Sequence, residues 1–262
     1  MPQEPSPFNI DTDFDVRIDS KGRDPDYYSP TLRRYHRYLW SKRLPSGQQF
    51  ELVDSVRGSY LVHSSDLGEF LLGSDSVIPT FSRWRSMAWL TSQLDQSQLS
   101  YFVYRASTIG SIIVFPSNRI DGKTTLNAAR GFNSKIADRF DLTLECIRRF
   151  YVNEPSPLQD VLARYESFFA LFKNFAGYTE FFLLNDLIST QGSVLFFTDF
   201  DDFGWRGTPR SIEEYQRYRE SSLNFIEARN KRIRAFNLDP TRSPTPHRRT
   251  PGSGATHGSS SP

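Results

Sequence analysis

The sequence predicts an α+β fold, a small, mostly antiparallel sheet packed against a helical C-terminal half. Three observations point there. Runs rich in β-branched and aromatic residues fall in the first half of the chain, long apolar stripes at helical spacing fall in the second, and the alternation between them is too irregular for a doubly wound fold. The 262 residues are 37% hydrophobic and 15% aromatic, with 22 Phe against 2 Met. A chain of that length and composition buries a sizeable core without disulfide or metal staples.

In chain order, Phe14-Asp15-Val16-Arg17-Ile18-Asp19 alternates apolar and polar residues, the pattern of a half-buried strand, and Asp11, Asp13 and Asp15 would line one of its faces. Ser29 as cap and Pro30 in the first turn open a helix over residues 31–43, which Leu44-Pro45-Ser46-Gly47 ends. Residues 50–54 and 59–63 read as strands joined through Arg57-Gly58. Residues 70–81 are apolar but irregular, and Pro79 argues against a central strand at that point. A helix follows over about 83–94. Residues 101–105 and 109–115 carry the clearest sheet signal, with Gly110 as a bulge, and Pro116-Ser117-Asn118 and Asp121-Gly122 mark turns.

Beyond these the pattern becomes helical. Ile136, Phe140, Leu144, Ile147 and Tyr151 recur at helical spacing across 135–151, with Asp141, Glu145 and Arg149 four apart. Ser156, Pro157 and Gln159 form a capping signature for the next helix, whose stripe is Leu158, Val161, Leu162, Tyr165, Phe168, Phe169, Phe172 and Phe175. Ser211 and Glu214 form a second capping box, for a helix reaching about Phe236. Residues 177–188 fit helix or strand, and 193–197 fit a strand. No internal repeat is visible. A single globular domain is expected over 1–239. The Pro, Ser, Thr, Gly, His and Arg of 240–262 have too little apolar surface to offset their ordering entropy, so that tail is expected to be disordered.

Composition narrows the function classes. The lone Cys146 excludes an internal disulfide and any multi-Cys zinc site, which suits a reducing compartment. The acidic, Pro-containing start has neither the basic nor the apolar part of a signal peptide, and runs such as 181–184 fall far short of the ~20 residues that span a bilayer, so cytoplasm and no membrane are expected. Of the 32 basic residues, Arg242, Arg248 and Arg249 lie beyond Asp239, leaving 29 against 30 acidic residues in the body. That balance disfavours a globally basic nucleic-acid binder.

Familiar catalytic motifs are not met. Gly122-Lys123-Thr124 lacks the first glycine of a phosphate-binding loop, whose place Ser117 takes. Asp199, Asp201, Asp202 and Gly204 fail a calcium-loop template, with Phe203 and Arg210 where oxygen ligands are required; the plainer reading has the acids pairing with Arg206 and Arg210. No metal and no cofactor is identified. His36 and His63 are the general-base candidates in the body, His63 beside Ser64, Ser65 and Asp66; His247 and His257 in the tail form no preorganised metal site, and Cys146 reads as a buried filler.

The candidate binding segment is Asn127 to Lys135. It leads into a helix that Ser134 can cap, and a helix N-terminus suits an anion. Arg130 and Lys135 add charge, Asn127 and Asn133 add amide donors, and Asp138, Arg139, Asp141, Glu145 and Arg148 follow as acid and base groups. These residues are the candidate site for a small anionic ligand or nucleotide, in a binding protein or an enzyme. The structural alternative is that Arg130 and Arg139 pair with the carboxylates and hold loop to helix. Two basic-aromatic stretches, 33–38 with Trp40, Lys42 and Arg43, and 217–234, raise nucleic acid as a second partner class. Glu213, Glu214, Glu220 and Glu227 dilute the later stretch, and aromatics at helical spacing ordinarily pack inward. A non-catalytic protein-interaction module, acting through the aromatic N-terminal helix, is the third reading.

The run from Ala129-Arg130-Gly131 through Asp138-Arg139-Phe140-Asp141-Leu142-Thr143-Leu144-Glu145-Cys146-Ile147-Arg148-Arg149 resembles a family of uncharacterised bacterial proteins, a domain of unknown function. Ser29-Pro30-Thr31-Leu32-Arg33-Arg34-Tyr35-His36, Ser74-Asp75-Ser76-Val77-Ile78-Pro79 and residues 177–187 fit the same resemblance. It implies a bacterial origin and nothing about chemistry.

Overall fold

The computed structural model describes residues 9–55 and 61–237; the Arg57-Gly58 junction and the tail at 240–262 lie outside the described residues. The chain opens in short helices rather than a strand, α1 (Arg17–Ser20) and α2 (Pro25–Tyr28). The alternation over 14–19 is overridden locally: the Asp15 carboxylate accepts the Arg17 N–H at 2.9 Å, which turns the chain, so the three acids do not share a strand face. α3 (Pro30–Trp40) forms as its cap predicts, with Ser29 Oγ accepting from Leu32 N at 3.0 Å and Pro30 in the first turn. It stops short of residue 43 because Lys42–Arg43 becomes β1, paired antiparallel with β2 (Gln49–Phe50) across the turn that Leu44 and Gln48 close.

The second sheet has four antiparallel strands in the order β3 (Val53–Asp54), β4 (Leu61–Ser65), β5 (Gly68–Ser76) and β6 (Ile112–Pro116). β5 is the longest and runs through residues read as irregular. Its second half, Gly73-Ser74-Asp75-Ser76, has little strand propensity of its own and is held by pairing with Ile112–Phe115. Residues 101–105 are not a strand. They end α5 (Gln96–Arg105), which Asp95 caps through Ser97 N and Gln98 N at 2.8 and 3.0 Å, and which follows a 3-10 turn and α4 (Ala88–Thr91) in the region expected to be helical. Burial of Leu99 and Phe102 on one helical face outweighs the β preference of Tyr-Phe-Val-Tyr. Gly110 sits in a 3-10 turn (Ile109–Ser111) instead of a bulge.

The C-terminal half is helical: α6 (Leu126–Phe132), α7 (Phe140–Tyr151), α8 (Gln159–Arg164), α9 (Glu166–Ala170), α10 (Phe175–Phe181) and α11 (Ile212–Asn237). α7 starts five residues later than its apolar spacing suggests, because Ala137 and Asp138 take left-handed backbone angles that interrupt the helix. Ser134 therefore caps nothing, and Thr125 caps α6 instead. α8 likewise starts at Gln159, after the expected Ser156 cap. Residues 177–188 are helical for the most part, and 193–197 contribute only a bridge from Val194 to Ile188. At α11, Ser211 Oγ accepts Glu214 N at 3.1 Å, while the Glu214 carboxylate reaches back to Arg210 N at 2.9 Å. The core joins sheet and helices. Phe168, Phe172, Tyr178, Phe181 and Phe182 pack edge-on or tilted at 5.0–5.4 Å between ring centroids, a tight use of the Phe-rich composition.

Candidate functional site

The residues singled out in the sequence divide into three ion-pair networks and a surface remainder. In the first, Arg130 of α6 is wholly buried; its Nε donates to Thr143 Oγ1 at 2.9 Å, Nη2 to the Asp138 carbonyl at 2.8 Å, and Nη1 to Asp75 of β5, with Asp138 Oδ1 3.6 Å away. In the second, Arg139 and Asp141 form a buried bidentate pair at 3.1 and 2.5 Å. In the third, Glu145 takes Arg148 and Arg149 together at 2.8–2.9 Å, and Arg148 also reaches Glu154. Asn127 lies apart, half-buried at the start of α6. Asn133 braces the turn after α6, accepting Lys135 N at 3.0 Å and donating to the Pro157 carbonyl at 3.2 Å. Lys135 is exposed.

The Arg139–Asp141 pair positions more than itself. Arg139 Nη1 donates to Thr198 Oγ1 at 2.8 Å and to the Gly207 carbonyl at 3.2 Å, while Asp141 Oδ2 accepts Phe197 N at 2.9 Å. One buried ion pair thus fastens both flanks of the 198–206 loop. Gly207 N then donates to the Ser134 carbonyl at 2.9 Å, and a Cβ at 207 would lie 2.7 Å from Ile136 O, so only glycine permits this approach. The turn bearing Lys135 and the loop bearing Trp205 and Arg206 are held against each other. Between them is a shallow surface depression, whose lining includes Lys135, Arg139, Asp199, Asp201, Trp205, Arg206 and Arg210. No hydrogen bond or ion pair among the described residues holds the head of Lys135 or of Arg206. Trp205 is 57% exposed.

Thr198, Trp205, Arg206 and Gly207 were not legible as site residues. Their one sequence signal was the acidic loop, and it pairs differently from expectation: Asp202 binds Arg149 and Asp199 approaches Arg217 at 3.8 Å, while Arg210 takes Glu214. Among the described residues no three His, Cys, Asp or Glu side chains converge as metal ligands.

The nucleophile and base candidates are constrained by burial. Trp40 Nε1–H donates to His36 Nδ1 at 3.0 Å, so the neutral ring carries its proton on Nε2 and donates to Ser74 Oγ at 2.8 Å. A base that activates Ser74 needs the reverse tautomer. Burial, with Arg229 nearby, holds His36 down to about 3, so the ring stays neutral. His63 is stacked on Phe50 at 4.0 Å, and burial lowers its pKa too. Burial pushes the Cys146 thiol up to about 12, which leaves no thiolate for catalysis. In the basic helices, Arg33 and Arg37 share Asp54, Arg232 takes Asp186, and Tyr35, Trp40, Tyr215 and Tyr218 are in the core rather than free to stack on bases.

A family model described as a family of unknown function (DUF6994) matches residues 10–233. No curated protein and no solved structure matches the chain.

Proposed function

The chain belongs to this family of unknown function, residues 10–233 being matched, and we propose that it binds a small anionic ligand of the nucleotide class in the depression between the 133–136 turn and the 198–207 loop. The observation that carries this reading is the pair of unengaged cations, Lys135 and Arg206, beside an exposed indole. A phosphate is taken by the two cations, Trp205 offers a face for a planar base, and Asp199 and Asp201 accept from amino or hydroxyl groups. Asn133 shapes the turn under Lys135. Arg139 with Asp141, Arg130 with Asp138, and Glu145 with Arg148 act behind that surface, holding its walls at fixed separation. The same proposal includes a bacterial origin, from the resemblance, and a cytoplasmic setting, from the single buried cysteine. No described helix is long and apolar enough to cross a membrane.

Calorimetry with nucleoside mono- and diphosphates and with inorganic phosphate tests the reading. Lys135→Ala and Arg206→Ala are surface changes that keep the fold. Each is expected to weaken binding about tenfold or more, the loss of one charge-assisted contact, with Trp205 fluorescence reporting the base. No heat with any nucleotide, or an affinity in both variants unchanged from wild type, overturns it. Salt-sensitive retention of the wild type on single-stranded RNA, undiminished in these variants, would favour the nucleic-acid reading instead.

A further inference from the structure

We infer, resting on the ligand reading above, that the depression takes its ligand by a terminal phosphate monoester seated on Thr198 and Arg139 at its floor. The rest of the ligand then leads outward to Trp205, which narrows the class to nucleotides whose phosphate carries a single substituent.

The floor is made of two buried donors that the fold leaves incompletely used. Arg139 is 4% exposed and Thr198 8%, and both line the depression. A guanidinium has five N–H donors in one plane. Four of those of Arg139 are taken: Nε and Nη2 go to the two oxygens of Asp141 at 3.1 and 2.5 Å, and Nη1 reaches Thr198 Oγ1 at 2.8 Å and the Gly207 carbonyl at 3.2 Å. The fifth, the second hydrogen of Nη2, meets no acceptor among the described residues. Because the bidentate pair with Asp141 uses the Nη2 hydrogen beside Nε, the fifth projects from the end of the fork, parallel to one of the Nη1 hydrogens. Thr198 Oγ1 accepts from Nη1, so its own hydrogen is left to donate, and it too meets no acceptor among the described residues. Buried donors are ordinarily matched, and an oxygen seated here matches both.

Burial orders the remaining groups from floor to rim. The Arg139–Asp141 pair is neutral as a unit, so the charge that draws an anion comes from the walls, Lys135 on the 133–136 turn and Arg206 on the 198–207 loop. Asp199, with its side chain 95% exposed, stands at the rim with Asp201 and Trp205. Those carboxylates repel a phosphate held beside them, which sends the anionic end to the floor and the neutral end outward. The walls meet beneath, where Gly207 N donates to the Ser134 carbonyl at 2.9 Å. A phosphodiester carries a substituent on either side of phosphorus and cannot seat that atom at a closed end. A monoester presents three acceptor oxygens and a charge near −2 to donors arriving from floor and walls. The internal phosphates of a nucleic-acid backbone are thereby excluded.

Calorimetry on the full chain compares a nucleoside monophosphate with the corresponding cyclic diester and with inorganic phosphate. The monoester is expected to bind about tenfold or more tightly than the diester, and inorganic phosphate to compete with it. Thr198→Val removes the hydroxyl at constant shape and should weaken both the monoester and inorganic phosphate about tenfold, whereas Thr198→Ser should stay within about twofold of wild type. Rescue by serine ties the effect to the hydroxyl. Trp205→Ala separates the two ends, weakening the monophosphate and leaving inorganic phosphate as it was. Should Thr198→Val not fold, the comparison of monoester with diester on the wild type decides alone. A diester bound as tightly as the monoester, or inorganic phosphate held equally by wild type and folded Thr198→Val, overturns this inference while nucleotide binding stands. Absence of binding by every nucleotide removes the ligand reading and this inference with it.

Discussion

Arg229 lies wholly inside the molecule, and its bonded partners are three backbone carbonyls, Gly110 O at 3.1 Å, Ile112 O at 3.0 Å and Phe182 O at 3.1 Å, with Trp40 5.7 Å from the guanidinium. Burial lowers its pKa to about 10, which still leaves it charged at neutral pH. Arg130 and Arg139, by contrast, each meet a carboxylate. Arg229 therefore works as a three-way tie between a 3-10 turn, the start of β6 and the end of α10. Removing it orphans carbonyls that no water reaches readily, each costing about 1–3 kcal/mol. Arg229→Met should cost about 3 kcal/mol or more in urea melts, the sum over three orphaned carbonyls, whereas Arg148→Ala on the half-exposed side of α7 should stay within about 1 kcal/mol. Equal midpoints for the two variants would show that the buried guanidinium is dispensable. Lys is a poor substitute at 229, because an ammonium has no planar fork to span the three acceptors.

Side-chain chemistry made two helix starts legible but misplaced those expected at Ser134 and Ser156, and elements decided by tertiary pairing were not legible. Ser29-Pro30 and Ser211 mark α3 and α11 because a cap acts within its own few residues. β5 was not read as a strand at all, and its second half could not be, because Ser74, Asp75 and Ser76 are strand residues only by virtue of β6. Residues 101–105 misled for the opposite reason, since aromatic and β-branched residues suit a buried helix face as well as a sheet. Gly110 combines both lessons. It was read as a bulge, yet its role is set by α11: a Cβ there would meet the Ile226 carbonyl at 2.9 Å and Asn230 Oδ1 at 2.3 Å. The side chain can swing away but the helix backbone cannot. Gly110→Ala should therefore cost about 1–3 kcal/mol through overpacking, and Asn230→Ala in the same chain should fail to restore it. Recovery of the wild-type melting temperature in that double variant would place the limiting contact on Asn230 instead of the helix.

Across the whole molecule, the polar residues of 127–148 were visible as a concentration of charge, but their division into three closed networks and an open rim was not. Spacing along α7 says which residues share a face, not that Asp75 or the 197–207 loop comes to meet them. The same long-range assembly sets the pH response, because buried groups of opposite type titrate against each other. Between about pH 4 and 6 the native state holds protons on Asp75 and Asp26 that the unfolded chain has released, so these two acids make stability fall as pH rises. His36 acts in the other direction. The unfolded imidazole is protonated below its ordinary 6.5 while the buried ring, held at about 3, is not, so stability falls as pH drops through that window, and His63 adds to this. Each unmatched proton is worth about 1.4 kcal/mol per pH unit. The opposing slopes largely cancel, and the wild type is expected to have nearly constant stability from pH 4.5 to 6. Removing both acids as Asp26→Asn/Asp75→Asn leaves the histidines unopposed, so that variant should lose about 1.4 kcal/mol or more for each unit of acidification over the same range. Urea melts at half-unit intervals decide the matter: parallel curves for wild type and double variant would mean that Asp75 and Asp26 ionise as ordinary surface acids, and that the buried histidines are balanced by groups elsewhere.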